Sequence, residues 1–377
     1  MSSAARTEAG PPKMIPPSSA LWVLFRAVDR ATDSMVRFRF RSAASLSPMT
    51  RKLLCLLSAL ALAAAVRAAD LRIGMIGLDT SHVTQYLGII NDPKNKDHVP
   101  GGKIVAGFKG GSQDVESSRS RVDGFTKTAV EKYGVKMYDS IEEMAQNVDA
   151  ILILSVDGRP HLDQFRRTLA AKKPVFIDKP LAGSLKDALE IARLSREHKV
   201  PVFSSSSLRY APDSPALKMD KAAQLLSAFS FGPAELEPHH PDLYWYGIHA
   251  VEALYAVMGS GCERVVRTHT TSTDVVTGVW KDGKVGTMQG NRTAAGKGFG
   301  GYGVTAVTSK GVVNGGEKHS YKPLVQDYMK FFQTGVSPVP LETTIELLAF
   351  MEAADESKRR GGAPVTLADV MKKAGGK

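Results

Sequence analysis

The stretch Leu71-Arg72-Ile73-Gly74-Met75-Ile76-Gly77-Leu78-Asp79-Thr80-Ser81-His82 decides the fold. Leu71–Leu78 is an apolar run with one arginine, the pattern of a strand covered on both faces in a parallel sheet. A helical stretch then runs from Ser81 to about Asn91. Outward from here the alternation continues. Lys103–Phe108, Asp149–Ser155, Pro174–Ile177 and Pro201–Phe203 read as strands, with Asp149–Ser155 the clearest. Val122–Tyr133, Ser140–Gln146, Pro160–Ala171 and Ser184–His198 read as the helices between them. Ser140 precedes Glu142 and Glu143, and Ser184 precedes Asp187, so acceptors stand ready for the free amides of a first turn. Such alternation builds a parallel sheet with helices on both faces, joined by right-handed crossovers.

After about Tyr210 the pattern changes. Asp274–Trp280, Lys284–Gly290, Tyr302–Thr308 and Gly311–Val313 read as longer, alternating strands, with one helix at Gly247–Met258. Asp282-Gly283 between two alternating runs is a hairpin signal. The glycine-rich run from Gly296 to Gly303 reads as a flexible loop or strand-edge connection, because no helix follows it. Helices return at Tyr321–Phe332 and Thr343–Arg359. The expected class is α/β, a parallel sheet followed by an α+β domain with a mainly antiparallel sheet. The expected divisions are a leader over 1–69, a first domain over 70–203, a second over 204–335, and a helical segment over 336–377 returning to the first.

Charge confirms that the leader stands apart. The whole chain carries 49 Lys/Arg against 38 Asp/Glu, a formal +11, yet residues 1–69 hold 10 and 3 of these, leaving 39 and 35. The folded part is near balance and has no basic stripe interleaved with aromatics, which argues against a nucleic-acid partner. From Met49 the order is Thr50-Arg51-Lys52, an apolar run Leu53–Val66, then Arg67-Ala68-Ala69-Asp70. That is the basic–apolar–small order of a cleaved signal peptide over 49–69, with a run too short for a membrane anchor. Export to the periplasm or medium by the Sec route follows, with no membrane attachment after cleavage. Residues 1–48 read as disordered or as lying upstream of the start in use. Of two cysteines, Cys55 leaves with the signal, so Cys262 has no intrachain partner.

Several motifs occur together in one order. His161 follows the Asp149–Ser155 strand; Phe176-Ile177-Asp178-Lys179-Pro180-Leu181-Ala182 follows the next; Ser207-Leu208-Arg209-Tyr210, Tyr246-Gly247-Ile248-His249, Glu352–Ser357 and Gly361–Leu367 come after. From about Leu71 to Leu367 the chain resembles the glucose–fructose oxidoreductase/inositol dehydrogenase (Gfo/Idh/MocA) family. The resemblance implies a Rossmann-type NAD(P)-binding first domain, a carbohydrate-type substrate, and a homo-oligomer formed through the second-domain sheet. It also implies that Lys179 lies beside nicotinamide and substrate and that His249 is the catalytic histidine. Gly77, Asp79, Thr80, Ser81, His82, Lys109, Ser155, His161, Asp178 and Lys179 then face the cofactor. Arg209, Tyr210, Tyr244, Trp245, Tyr246 and His249 face the substrate.

The departures are as informative. The family's phosphate turn reads Gly-x-Gly-x-x-Gly, and here only Gly77 of the three remains in Gly77-Leu78-Asp79-Thr80-Ser81-His82. Asp79 puts a carboxylate where a phosphate oxygen is expected, while Thr80 and Ser81 add hydroxyls beside the free amides of a helix start. The second strand ends in Lys109-Gly110-Gly111-Ser112 without an acidic residue for a ribose, which favours NADP over NAD. Asp178 stands for the family's glutamate, and Trp245 for its aspartate before the histidine. Histidine titrates near neutrality and can take a hydroxyl proton as hydride leaves carbon. Tyr244, Trp245 and Tyr246 form an aromatic wall of the kind sugars stack on. Asp79, His82, His161, His239, His240 and His249 match no metal-ligand spacing, so no metal is expected.

Two functions stay open: an NAD(P)-dependent oxidoreductase acting on a sugar, polyol or sugar derivative, and an exported carbohydrate-binding protein that has lost the dinucleotide. The leader itself makes a prediction. Expression from Met49 should yield an exported product beginning at Ala69 or Asp70. Amino-terminal sequencing of periplasm or medium checks this, and a cytoplasmic product retaining Leu53–Val66 contradicts it.

Overall fold

The computed structural model describes residues 70–375, so the expected leader and signal peptide lie outside the described residues. Six parallel strands form the first sheet: β1 (Leu71–Ile76), β2 (Gly102–Phe108), β3 (Lys136–Met137), β4 (Ala150–Ile153), β5 (Val175–Ile177) and β6 (Val202–Ser204). The helices among them are α1 (His82–Asn91), α2 (Glu116–Arg119), α3 (Val122–Tyr133), α4 (Ile141–Gln146), α5 (His161–Thr168) and α6 (Leu185–His198). Strand order is β3-β2-β1-β4-β5-β6. All of β4 and β5 is buried, as continuous apolar runs in a doubly covered sheet must be. Ser140 and Ser184 cap as expected, their Oγ atoms accepting from the Glu143 amide at 3.2 Å and the Asp187 amide at 3.1 Å.

The strand order reverses between β1 and β4, so the loops leaving their carboxyl ends diverge and open a crevice. Gly77 is what lets β1 turn there. Its φ is +80°, and a Cβ at this position would lie 2.2 Å from Ser155 Oγ at the end of β4. No residue with a side chain fits.

The second sheet has seven strands: β7 (Leu225–Pro233), β8 (Cys262–His269), β9 (Thr273–Trp280), β10 (Val285–Asn291), β11 (Gly303–Thr308), β12 (Gly311–Gly315) and β13 (Val365–Thr366), ordered β12-β11-β7-β10-β9-β8-β13. It is antiparallel except where β7 and β10 run side by side in parallel. Asp282-Gly283 does turn the β9–β10 hairpin, with Gly283 at φ +82°. Two of the longer strands escape the sequence pattern, besides the two-residue β3 and β13. β7 has apolar residues on both faces, and β8 sends Arg267 inward, so neither alternates. The remaining helices are α7 (Pro215–Lys218), α8 (Asp242–Trp245), α9 (Ile248–Met258), α10 (Lys322–Thr334), α11 (Leu341–Arg359) and α12 (Leu367–Lys373).

One boundary needs correction. Residues 322–334 fall within the expected second domain, yet α10 is part of the first sheet's cover. Its Leu324, Val325, Tyr328, Met329, Phe331 and Phe332 share one core with Ile73, Tyr86, Phe176 and Phe203. The aromatic rings of that core meet edge-on, Phe176 on Phe203 at 5.2 Å and Phe203 on Phe331 at 5.7 Å. α11 lies along the seam, its residues packed with α6 and β6 as well as with β8 of the second sheet. Among the described residues, no helix is long and apolar enough to cross a membrane.

The second half is pinned by buried charge. The Arg267 guanidinium, with no exposed surface, meets Asp274 at 2.8 Å, Asp242 at 2.9 Å and also Asp355. Arg292 pairs with the same Asp274, and Lys358 reaches Asp242 at 2.6 Å. Three cations answer three carboxylates across β8, β9, α8 and α11. Removing one partner strands the others. Arg267→Met should therefore lower stability by about 3–5 kcal/mol, read as a shift in the urea midpoint, and a loss under about 1 kcal/mol would show the cluster to be incidental.

Candidate active site

Loops at the carboxyl ends of five of the six first-sheet strands, all but β3, contribute to one cavity of about 550 Å³, with Val115, Glu116 and Ser117 coming from the segment after β2. Thr80, Ser81 and His82 come from the turn after β1, Val156 from the loop after β4, Lys179 from that after β5, and Ser207 and Leu208 from that after β6. The second half closes it with Glu235–Pro238 after β7, with Trp245, Tyr246 and His249 around the start of α9, and with Tyr302, His319 and Tyr321. A larger groove, about 1000 Å³, runs along α5, α6, α11 and α12. It lies away from the strands' carboxyl ends and is lined by Arg and Glu side chains, Lys186, Asp187, Cys262, Met371 and aliphatic residues.

His249 is buried at the start of α9, with Nδ1 2.6 Å from Ser206 Oγ and its ring between those of Tyr246 and Tyr302 at 5.6 and 5.9 Å. Burial drives its pKa well below the ordinary histidine value, and the nearby charges of Lys179, His82 and His319 act in the same sense. Burial thus favours the neutral imidazole, with Nδ1 oriented by a hydroxyl. Lys179 is also buried. Its Nζ lies 3.4 Å from the Trp245 carbonyl and 5.4 Å from the centre of the Tyr246 ring. Burial lowers its pKa too, partly opposed by the Asp178 carboxylate.

Asp178 binds the Lys179 amide at 2.9 Å and the His82 Nδ1 with its other oxygen. The aspartate in place of a glutamate and the histidine in place of a glycine thus meet as a pair. Burial alone would raise the Asp178 pKa; the charge and hydrogen bond of His82 hold it below the usual carboxylate value. His82 is wedged against Tyr86 and Tyr321, at 5.5 and 5.1 Å between ring centres. His319 is fixed through Nε2 to Ser207 Oγ at 2.9 Å.

The structure moves several expected site residues off the cavity. Asp79 does not face a phosphate site. Its carboxylate is fully buried, taking the Ser118 hydroxyl at 2.6 Å and the Val156 amide at 2.9 Å. Burial raises its pKa, and those two bonds partly oppose the shift. Lys109 pairs with exposed Asp123 at 2.6 Å. Ser155 is buried against Gln164 at 2.8 Å, and His161 braces two loops, its ring nitrogens each 2.9 Å from the carbonyl oxygens of Pro180 and Ser155. Arg209 is tied to Glu252 at 2.6 Å, Tyr210 packs beside the first core, and Tyr244 is buried with its hydroxyl on the Leu348 carbonyl at 3.3 Å. Gly77 shapes the turn without lining the cavity. Tyr302, His319, Tyr321 and Arg121 line it without any sequence signal, because residues far apart in the chain bring them there. Among the described residues, no group of three His, Cys, Asp or Glu side chains is placed to hold a metal ion.

Residues 71–206 match the family model GFO_IDH_MocA, described as an oxidoreductase family with an NAD-binding Rossmann fold. The match spans the first sheet and the loops at its carboxyl ends. The fold is shared over the whole described chain with solved structures of low identity. Myo-inositol 2-dehydrogenase from Lactobacillus plantarum is 19% identical with a TM-score of 0.62, covering 79% of this chain and 99% of that one. An oxidoreductase from Agrobacterium radiobacter, solved with NAD+, L-tartaric acid and magnesium, is 15% identical with a TM-score of 0.61, covering 80% and 100%. Scyllo-inositol dehydrogenase from Lactobacillus casei is 14% identical with a TM-score of 0.60, covering 79% and 98%. No curated protein matches the chain.

The family's dinucleotide can be tested against these residues. At the pyrophosphate end Thr80, Ser81 and His82 line the cavity at the start of α1, which no side chain caps, although Asp79 and His82 stand where the second and third glycines would be. At the adenosine end the fit is poor. The ribose of a bound dinucleotide lies against the end of β2, beside the turn after β1. Here Gly110 packs on Gly77 so closely that a Cβ on Gly110 would stand 3.1 Å from Gly77 Cα.

The buried histidines set a pH dependence. Both His249 and His161 have folded pKa values below the unfolded value near ~6.5, so below that pH protons favour the unfolded chain. The stability at stake is intact above about pH 6.5 and is lost as pH falls below it. The urea midpoint should drop between about pH 7.5 and about 5.5, and drop less in His249→Gln. Equal drops in both proteins would remove His249 as a source.

Proposed function

We propose that this chain is an oxidoreductase acting on a sugar, polyol or sugar derivative, with His249 and Lys179 handling the proton of the reacting hydroxyl. One observation carries the reading. Lys179, from the loop after β5, and His249, from the start of α9, are both buried and converge on the cavity at the strand-order reversal. Burial favours the neutral imidazole, which can accept a hydroxyl proton. Lys179, held near the ring of Tyr246, places a donor beside the same oxygen.

The walls suit a polyhydroxylated ligand. Trp245, Tyr246, Tyr302 and Tyr321 offer ring faces, and Glu235, Glu237, His82 and His319 offer hydrogen-bond partners. The two inositol dehydrogenases and the tartrate-bound oxidoreductase with the same fold support this class of substrate. When bound, a nicotinamide dinucleotide supplies the hydride chemistry of the family, and Thr80, Ser81 and His82 are the residues that would hold its pyrophosphate. We place the mature protein outside the cytoplasm on the strength of residues 49–69, and in a homo-oligomer formed through the second sheet. A second reading, an exported carbohydrate-binding protein without a dinucleotide, is favoured by the close packing of Gly110 on Gly77.

The two separate in one assay. A sugar and polyol panel with NAD or NADP should show turnover, read by nicotinamide absorbance. Lys179→Met and His249→Gln should each cut it by roughly 10²–10⁴-fold, the range of general acid–base catalysis. Sugar binding without turnover in the wild type supports the second reading, and neither binding nor turnover overturns both.

A further inference from the structure

Between β2 and α3 the chain makes a strap over residues 110–118. Gly110 and Gly111, at φ +61° and +102°, bend it back across the turn after β1. The turn's own amides hold its base, Gly77 N to the Phe108 carbonyl at 3.0 Å and Leu78 N to that of Lys109 at 2.8 Å. Further along, Ser118 Oγ receives the Ser112 amide at 2.7 Å and donates to Asp79 at 2.6 Å. Ser112 Oγ donates to Asp157, in the loop after β4, at 2.6 Å. Arg159 spans Asp157 and Asp114, reaching each Asp114 oxygen at 2.9 Å. His240 in turn meets Asp157 at 2.9 Å. Asp79, Ser118 and Asp157 are essentially without exposed surface, and the hydrogen bonds from His240, Arg159 and Ser112 hold the Asp157 carboxyl well below the carboxylate range despite its burial. The strap's other side, Val115, Glu116 and Ser117, is an end wall of the cavity.

We infer that this strap is the specificity element of the site: it fills the place where the adenosine ribose of a dinucleotide would lie, so such a ligand enters only by displacing it. The strap joins the turn after β1 to the loop after β4, the two walls between which a Rossmann sheet holds adenosine. With Asp79 and Asp157 it forms one connected hydrogen-bonded set that ties residues 112–118 down over the turn after β1. Beyond the strap lies the cavity of about 550 Å³ lined by Thr80–His82, Lys179 and His249. The inference goes beyond the proposed function and bears on it, because turnover with NAD or NADP then requires the strap to be displaced first.

The test uses the mature chain with ADP-ribose and NAD in calorimetric titration, with hydrogen exchange of residues 110–118 followed in parallel. Wild type should bind ADP-ribose too weakly to detect, and Asp79→Gly and Ser118→Ala should each tighten it at least tenfold. Should either variant fail to fold, Arg159→Ala, which frees only the outer arm, should give a smaller gain in the same direction. NAD bound by the wild type with loss of protection over 110–118 also supports the strap. NAD or ADP-ribose bound while 110–118 stays protected overturns it, as do folded variants that gain nothing. Binding of the sugar panel by the same wild-type sample is read separately, so failure of the proposed function is distinguishable from failure of the strap.

Discussion

A single buried carboxylate holds together the loops on which the site is built. Asp79 takes one bond from the Ser118 hydroxyl and one from the Val156 amide, which joins the turn after β1 to the segments after β2 and β4. Hydrogen bonds to a charged group are worth about 1.5–3 kcal/mol each, and leaving such a group buried without them costs more than that. The arrangement is therefore all or nothing. With both bonds in place the carboxylate is tolerated deep in the protein; with one gone, the loops have reason to part.

Two departures from the family pattern become one device in three dimensions. His82 and Asp178 are separated by 96 positions, yet each supplies what the other lacks: the carboxylate fixes the ring, and the imidazole keeps the carboxylate charged in a buried place. Together with His249 on Ser206 and His319 on Ser207, they give the cavity three imidazoles, each oriented through one nitrogen. Because burial and like charge keep His249 neutral, the site can hold several histidines and a lysine without strong mutual repulsion.

Much of the fold was legible because burial writes itself into composition. β4 and β5 are apolar without interruption, and β1 is so after Arg72, because both faces are covered, and Asp282-Gly283 read as a turn between alternating strands. β7 and β8 were illegible because their inward faces do not follow the simple rule, above all where Arg267 is buried among carboxylates. In the site, Lys179, His249, Trp245, Tyr246 and Thr80–His82 do face the cavity, each just after a strand or at a helix start. Asp79 was misread because its direction is set by Ser118, 39 positions away, and no local pattern carries that. Arg209, Tyr210 and Tyr244 were misread for the same reason: Glu252, the core beside α10 and Leu348 claim them.

The position of α10 bears on how the chain acquires its structure. One face of the first sheet, with Tyr86, Phe176 and Phe203, is covered partly by residues 322–334, which are made after every strand of the second sheet but β13. A ribosome that has just released Ser204 has produced all six parallel strands and none of this cover. The amino-terminal half cannot complete its core and fold ahead of the rest, as amino-terminal domains commonly do. It must wait, with aromatic surface open to chaperones or to aggregation, until the antiparallel half has been synthesised and the chain has crossed back. The two sheets are then committed to fold as one cooperative unit, and a fragment ending at the apparent domain boundary would be left with a bare face.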